Sequence, residues 1–223
     1  TSHRYEIIPG TWEDVEATAI NPTYDAVDME TVHLQGVPGG ATITWQYKHK
    51  DADDNTYSPA QTVEMPSGGG NSIDIAPIET AGDYTVKVQI SYAGYEPENW
   101  YATVDVHVYK KAVSIPTAVA GLTYTGEEQT GVSVAEGMDN IYTLSGNTET
   151  DATGYTATAT LTDEAFPNYC WQGRGEEQKT AEISWSIAKR SVMVPNVFQT
   201  RQYQYNGAYQ KIVSAPDGTN FEY

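Results

Sequence analysis

Few side chains in this sequence are placed for chemistry. The four histidines, His3, His33, His49 and His107, form no His-x-x-x-His spacing, and a lone Cys rules out Cys-x-x-Cys. The local ligand pattern of a zinc site is therefore missing. Cys170 stands beside Trp171 with no His near it in sequence. That reads as a partly buried thiol rather than a nucleophile activated by a neighbouring base. In Asp51-Ala52-Asp53-Asp54-Asn55, the residues Asp51, Asp53 and Asn55 alternate like the opening of a calcium loop. Thr56 and Thr62 occupy the positions where such a loop needs its Gly and its bidentate Glu. A solvated hairpin tip is the favoured reading, and Glu127-Glu128 and Glu176-Glu177 read as solvated turns. No motif presents a nucleophile to a base, so the chain is expected to be non-catalytic and to need no cofactor.

Aromatic residues remain. Tyr92, Tyr95, Trp100 and Tyr101 precede or open one alternating segment, and Phe166, Tyr169 and Trp171 precede another. Tyr and Trp dominate binding hot spots and stack on sugar rings. Tyr92, Tyr95, Trp100, Tyr101 and Trp171 are thus the candidate binding residues. The competing reading folds these loops back to plug the open end of a sandwich.

The elements that must position them alternate with period two. Ile43, Trp45 and Tyr47 oppose Thr44, Gln46 and Lys48; Val86, Val88 and Ile90 oppose Lys87 and Gln89; Ile183, Trp185 and Ile187 oppose Ser184 and Ser186. One apolar and one polar face marks antiparallel sheet covered on one side. Turn signals such as Pro38-Gly39-Gly40 and Ser145-Gly146-Asn147 separate the runs. Trp45, Tyr84, Tyr155 and Trp185 fall at core positions by phase.

The pattern also repeats. Lys110-Lys111-Ala112-Val113-Ser114-Ile115-Pro116 is matched 79 residues later by Lys189-Arg190-Ser191-Val192-Met193-Val194-Pro195. Tyr24-Asp25-Ala26, Tyr124-Thr125-Gly126 and Tyr205-Asn206-Gly207 share a Tyr two positions before a small residue. The segment from Ala81 to Val88 parallels that from Ala152 to Ala159. These matches divide the chain into residues 1–109, a β-sandwich; residues 110–189, a second; and residues 190–223, the truncated start of a third. The fold class expected is all-β, with tandem immunoglobulin-like β-sandwich domains.

Trp45 within Ile43-Thr44-Trp45-Gln46-Tyr47, and Tyr84 two residues before Val86, resemble the core Trp and tyrosine corner of immunoglobulin-like domains. Val86 stands where antibody domains carry their second Cys, so a bacterial module is the better match. The Tyr-x-Gly openings resemble the MBG, or YGX-type, repeats of Gram-positive cell-surface proteins and adhesins. The resemblance implies an extracellular module, cell-wall-attached or secreted, binding a host protein such as immunoglobulin or a mucin-type glycan. Passive stalk repeats, or an accessory module of a carbohydrate-active enzyme, are its alternatives. It transfers no catalytic residue. Some such modules carry a Lys–Asn isopeptide bond. Lys110 or Lys111 with Asn168 is the pair available, though a junction position favours a charged linker.

Charge limits the partners. The 223 residues carry 30 acidic and 12 basic side chains, a net charge of −18. Of these, 17 acidic and 4 basic fall before residue 110, and 11 and 5 fall in 110–189. A nucleic-acid surface needs clustered cations, so nucleic acid is excluded as a partner. No apolar run approaches the ~20 residues of a membrane span, so no membrane insertion is expected. The opening Thr1-Ser2-His3 reads as that of an excised piece of a longer chain, and the module is expected to be monomeric.

Overall fold

The computed structural model describes residues 9–68 and 71–192, together with 204, 207 and 208. The expected third unit therefore lies almost wholly outside the described residues. In chain order the first half contains β1 (Glu16–Ala19), β2 (Glu30–Gln35), β3 (Thr42–His49), β4 (Gln61–Glu64), β5 (Ser72–Pro77), β6 (Gly82–Ser91) and β7 (Asn99–Val108). They form two antiparallel sheets, ordered β1-β2-β5 and β4-β3-β6-β7. Val32, Leu34 and Ile75 from one sheet join Ile43, Trp45, Val86, Val88 and Ile90 from the other in a single buried cluster. The chain is an all-β protein built on this sandwich. Alternation decides which side chains enter the core, because successive Cβ atoms point to opposite sheet faces.

The second half contains β8 (Lys111–Val113), β9 (Gln129–Thr130), β10 (Tyr142–Ser145), β11 (Thr148–Glu149), β12 (Gly154–Leu161), β13 (Tyr169–Trp171) and β14 (Thr180–Ser186). The main sheet is β10-β12-β14, flanked by the short pairs β9–β11 and β8–β13. A separate buried cluster from Val113 to Ile187 includes Tyr142, Leu161, Trp171, Ile183 and Trp185. Small inward residues on β12, Ala157 and Ala159, sit among these large rings. Alternating large and small side chains lets facing layers interdigitate.

One local detail recurs in both halves. The Tyr84 hydroxyl donates to the Thr80 carbonyl at 3.1 Å, and the Tyr155 hydroxyl donates to Asp151 O at 2.8 Å. Each closes a four-residue corner at the entry to a central strand.

The aromatic segments, by contrast, do not run in parallel. Asn99 and Trp100 already belong to β7, paired with Ser91 and Ile90, so this strand starts three residues before Ala102, where the alternation suggested. Tyr169–Trp171 instead pairs in parallel with Lys111–Val113. A three-residue edge pairing carries too little periodicity to be read from sequence.

Candidate binding face

The outer face of the sheet β4-β3-β6-β7 collects the polar half of each alternating strand. Register fixes its rows. Thr62, Thr44, Gln89 and Tyr101 stand in one line across all four strands. Gln46, Lys87 and Thr103 form the next, and Lys48, Thr85 and Asp105 the one after. On the other side of the Tyr101 row lie Thr42, Ser91 and Asn99.

Hydrogen bonds tie many of these side chains together. Thr44 and Thr62 share a hydroxyl bond of 3.2 Å. Gln89 Nε2 donates to Asn99 Oδ1 at 3.1 Å, and Ser91 Oγ donates to the same oxygen at 2.5 Å. Gln46 Nε2 donates to the Ser58 carbonyl at 3.0 Å. Lys87 Nζ lies 4.2 Å from the centre of the Tyr57 ring, a cation–π contact. Between them, Thr44, Gln46, Lys87, Gln89 and Tyr101 line a cleft of about 170 Å³ floored by Trp45 and Val88. Tyr101 is 67% exposed, the most exposed aromatic residue among those described.

Ion pairs border this face. Lys48 Nζ contacts Asp54 at 2.9 Å, and Lys50 contacts Asp105 at 3.0 Å. The hydrogen bond from Lys48 holds the Asp54 carboxyl below the usual range. Bonds from Lys50 and Thr85 do the same for Asp105. Depressed carboxylates stabilise the fold at neutral pH, and that help is lost as pH falls through their folded values. Both pairs are open to solvent, so the contribution is small.

The sequence candidates divide in this structure. Tyr101 reaches solvent from the edge strand β7. Tyr92, Tyr95 and Trp100 are half-buried and pack against the first core. Tyr95 meets the Trp12 ring at 4.6 Å and Tyr92 at 5.3 Å, closing that end of the sandwich. Trp171 is wholly buried, with Nε1 donating to Lys179 O at 3.0 Å. It is a core residue with no surface to offer a ligand. The plug reading describes Tyr92 and Tyr95, whereas Trp100 and Trp171 lie in strands. Sequence reasoning overlooked the partners of Tyr101, namely Gln89, Gln46, Thr44 and Lys87. Their outward phase was visible, but their alignment depends on register.

The acidic hairpin holds a cation of its own. Lys48 Nζ donates to Ala52 O at 2.6 Å and to Asp54 Oδ1, within the Asp51–Asn55 turn. Asp51, Asp53 and Asn55 are not drawn into a ligand set, and no group of three His, Cys, Asp or Glu among the described residues could hold a metal. His33 and His107 pair with Asp74 and Asp83 on exposed faces. Lys110 Nζ donates to the Glu176 carbonyl, and Lys111 Nζ to Asp25. Neither amine is directed at the Asn168 side chain, which accepts from Ala81 N.

Cys170 is 8% exposed, and burial pushes its thiol above the ordinary value. A thiol reagent at pH 7.5 should leave Cys170 unmodified in the folded chain and label it when denaturant unfolds the second sandwich. Rapid labelling without denaturant would mean that β13 opens readily.

No protein-family model and no curated protein matches this chain. Among solved structures, it is similar to the chicken CNTN1 FN1-FN3 domains, at 12% identity and a TM-score of 0.27. The match covers 82% of this chain and 67% of that one. No helix among the described residues is long and apolar enough to cross a membrane.

Proposed function

We propose that this chain is a non-catalytic, extracellular bacterial surface module that binds a host macromolecule through the outer face of β4-β3-β6-β7. The observation that carries this reading is Tyr101, exposed on the edge strand β7 of a hydrogen-bonded polar face and lining its cleft. An exposed Tyr among amide and hydroxyl groups supplies a large contact area for few rotatable bonds. The amides of Gln46 and Gln89 and the hydroxyl of Thr44 can serve protein backbone or sugar hydroxyls. The repeated sequence motifs support membership of the MBG-like surface repeats.

Binding to immobilised serum immunoglobulin and to mucin tests the proposal. The Tyr101→Ala variant should bind at least about tenfold more weakly, as truncation of a hot-spot residue does. Its thermal midpoint should stay unchanged, because Tyr101 lies outside the core. Unaltered binding by Tyr101→Ala would move the site elsewhere. Absence of binding to either probe would favour the stalk reading, which the pinned contacts between the two sandwiches independently support.

A further inference from the structure

The two sandwiches meet through a small built interface. At the end of the first, Tyr24 N donates to Tyr109 O at 2.8 Å, Tyr109 N donates to Pro22 O at 2.9 Å, and Thr23 bridges Tyr109 in parallel. This frame presents the Tyr24 ring, the Asp25 carboxylate and the nearby Ala81 N–H. The second sandwich covers all three. The Tyr169 ring meets Tyr24 edge-on at 5.4 Å, Lys111 Nζ pairs with Asp25 at 2.5 Å, and Asn168 Oδ1 accepts from Ala81 N at 2.9 Å.

The second sandwich rebuilds the same frame at its own far end. Tyr124 N donates to Ala188 O at 2.9 Å, Ala188 N donates to Leu122 O at 2.8 Å, and Thr123 bridges Ala188 in parallel. Its Tyr155–Asp151 corner sets Ala152 where the Tyr84–Thr80 corner sets Ala81. Here no described ring covers the aromatic. Tyr124 is 39% exposed and stacks on no other ring among the described residues, whereas Tyr24 is half-buried. The chain leaves this end through Lys189-Arg190-Ser191-Val192, the counterpart of Lys110-Lys111-Ala112-Val113.

We infer that the Tyr124 end is a docking surface for another module of the type that spans residues 110–188. That module seats an aromatic on Tyr124 and an asparagine side chain on Ala152 N–H, as Tyr169 and Asn168 do at the first junction. The occupant is argued from continuity with the established interface, since the same frame already holds such a module 100 residues earlier. One element is not copied. The residue after the tyrosine is Asp25 at the first junction and Thr125 at the second, and the left-handed residue shifts from Asp25 (φ 61°) to Gly126 (φ 88°).

A chain in which residues 190–223 are replaced by a second copy of residues 111–189 tests this. Hydrogen exchange at the Ala152 amide should slow roughly tenfold or more relative to the original chain. Asn168→Ala in the second copy alone should restore the original rate, while the exchange pattern inside that copy shows that it is folded. Equal Ala152 rates in the original and extended chains, with the second copy folded, would overturn the inference. Protection that survives the Asn168→Ala change would overturn it too. In the original chain, loss of immunoglobulin or mucin binding on Tyr124→Ala would assign this end to an external ligand instead. That result concerns Tyr124 alone and is separable from the behaviour of Tyr101→Ala.

Discussion

Trp171→Ala lowers the stability of the second sandwich by about 3–5 kcal/mol, a large share of the ~5–15 kcal/mol that holds a domain folded. Three losses combine. The indole has no exposed surface, so its whole apolar area is forfeited and a cavity opens in the second buried cluster. The Tyr142 ring, 5.3 Å away, loses its tilted partner. The Lys179 carbonyl, which accepts from the indole nitrogen and from Leu161 N, loses one of its two donors. Trp171→Phe keeps most of the packing and should cost distinctly less. The readout is denaturant unfolding followed by labelling of the neighbouring Cys170, whose midpoint should fall sharply for Ala and modestly for Phe. An unshifted midpoint for the alanine variant would mean that the side chain is dispensable to the core.

The same residue shows where sequence reading stops. Alternation along β3, β6, β7 and β14 is strict enough to assign Trp45, Val86, Val88 and Trp185 to the interior before any coordinates are seen. Each is buried. Trp171 lies on a three-residue strand, where no period can be counted, and an aromatic in a short irregular segment looks the same whether it points in or out. Its burial follows from the parallel pairing with Lys111–Val113, a contact between segments almost sixty residues apart.

Tyr101 shows the converse. Its outward phase on β7 was legible from the neighbours Ala102, Val104 and Val106. Its setting was not, because the line Thr62–Thr44–Gln89–Tyr101 joins four strands whose relative register is set by turns and packing. Lys111 and Asn168 behave likewise. Sequence places Lys111 at a junction and Asn168 in an aromatic loop, and only the packed sandwiches show that one reaches Asp25 and the other Ala81. Residue phase is thus local information, whereas a site built from several strands is not.

Gly131→Ala should destabilise the second sandwich by about 3 kcal/mol, at the upper end of what overpacking usually costs. Gly131 needs no unusual backbone angle; its requirement is space. A Cβ there would lie 1.9 Å from Cε3 and 2.0 Å from Cδ2 of Trp185. The indole has little freedom to retreat. Its Nε1 donates to the Gly146 carbonyl at 3.0 Å, the Tyr155 ring lies 4.8 Å away, and only 5% of the residue is exposed. Gly131 itself is tethered on both sides, with its amide donating to Asn147 O at 2.8 Å and its carbonyl accepting from Val119 N at 2.8 Å. Neither partner can yield without breaking a backbone bond or the indole bond. The cost should therefore depend on the presence of the indole. In a double-mutant cycle, Trp185→Leu alone is destabilising through its cavity, and adding Gly131→Ala to it should cost far less than in the parent chain. Urea midpoints of the four proteins give the coupling directly. Strictly additive losses would show that Gly131 is required for its backbone rather than for the closeness of Trp185.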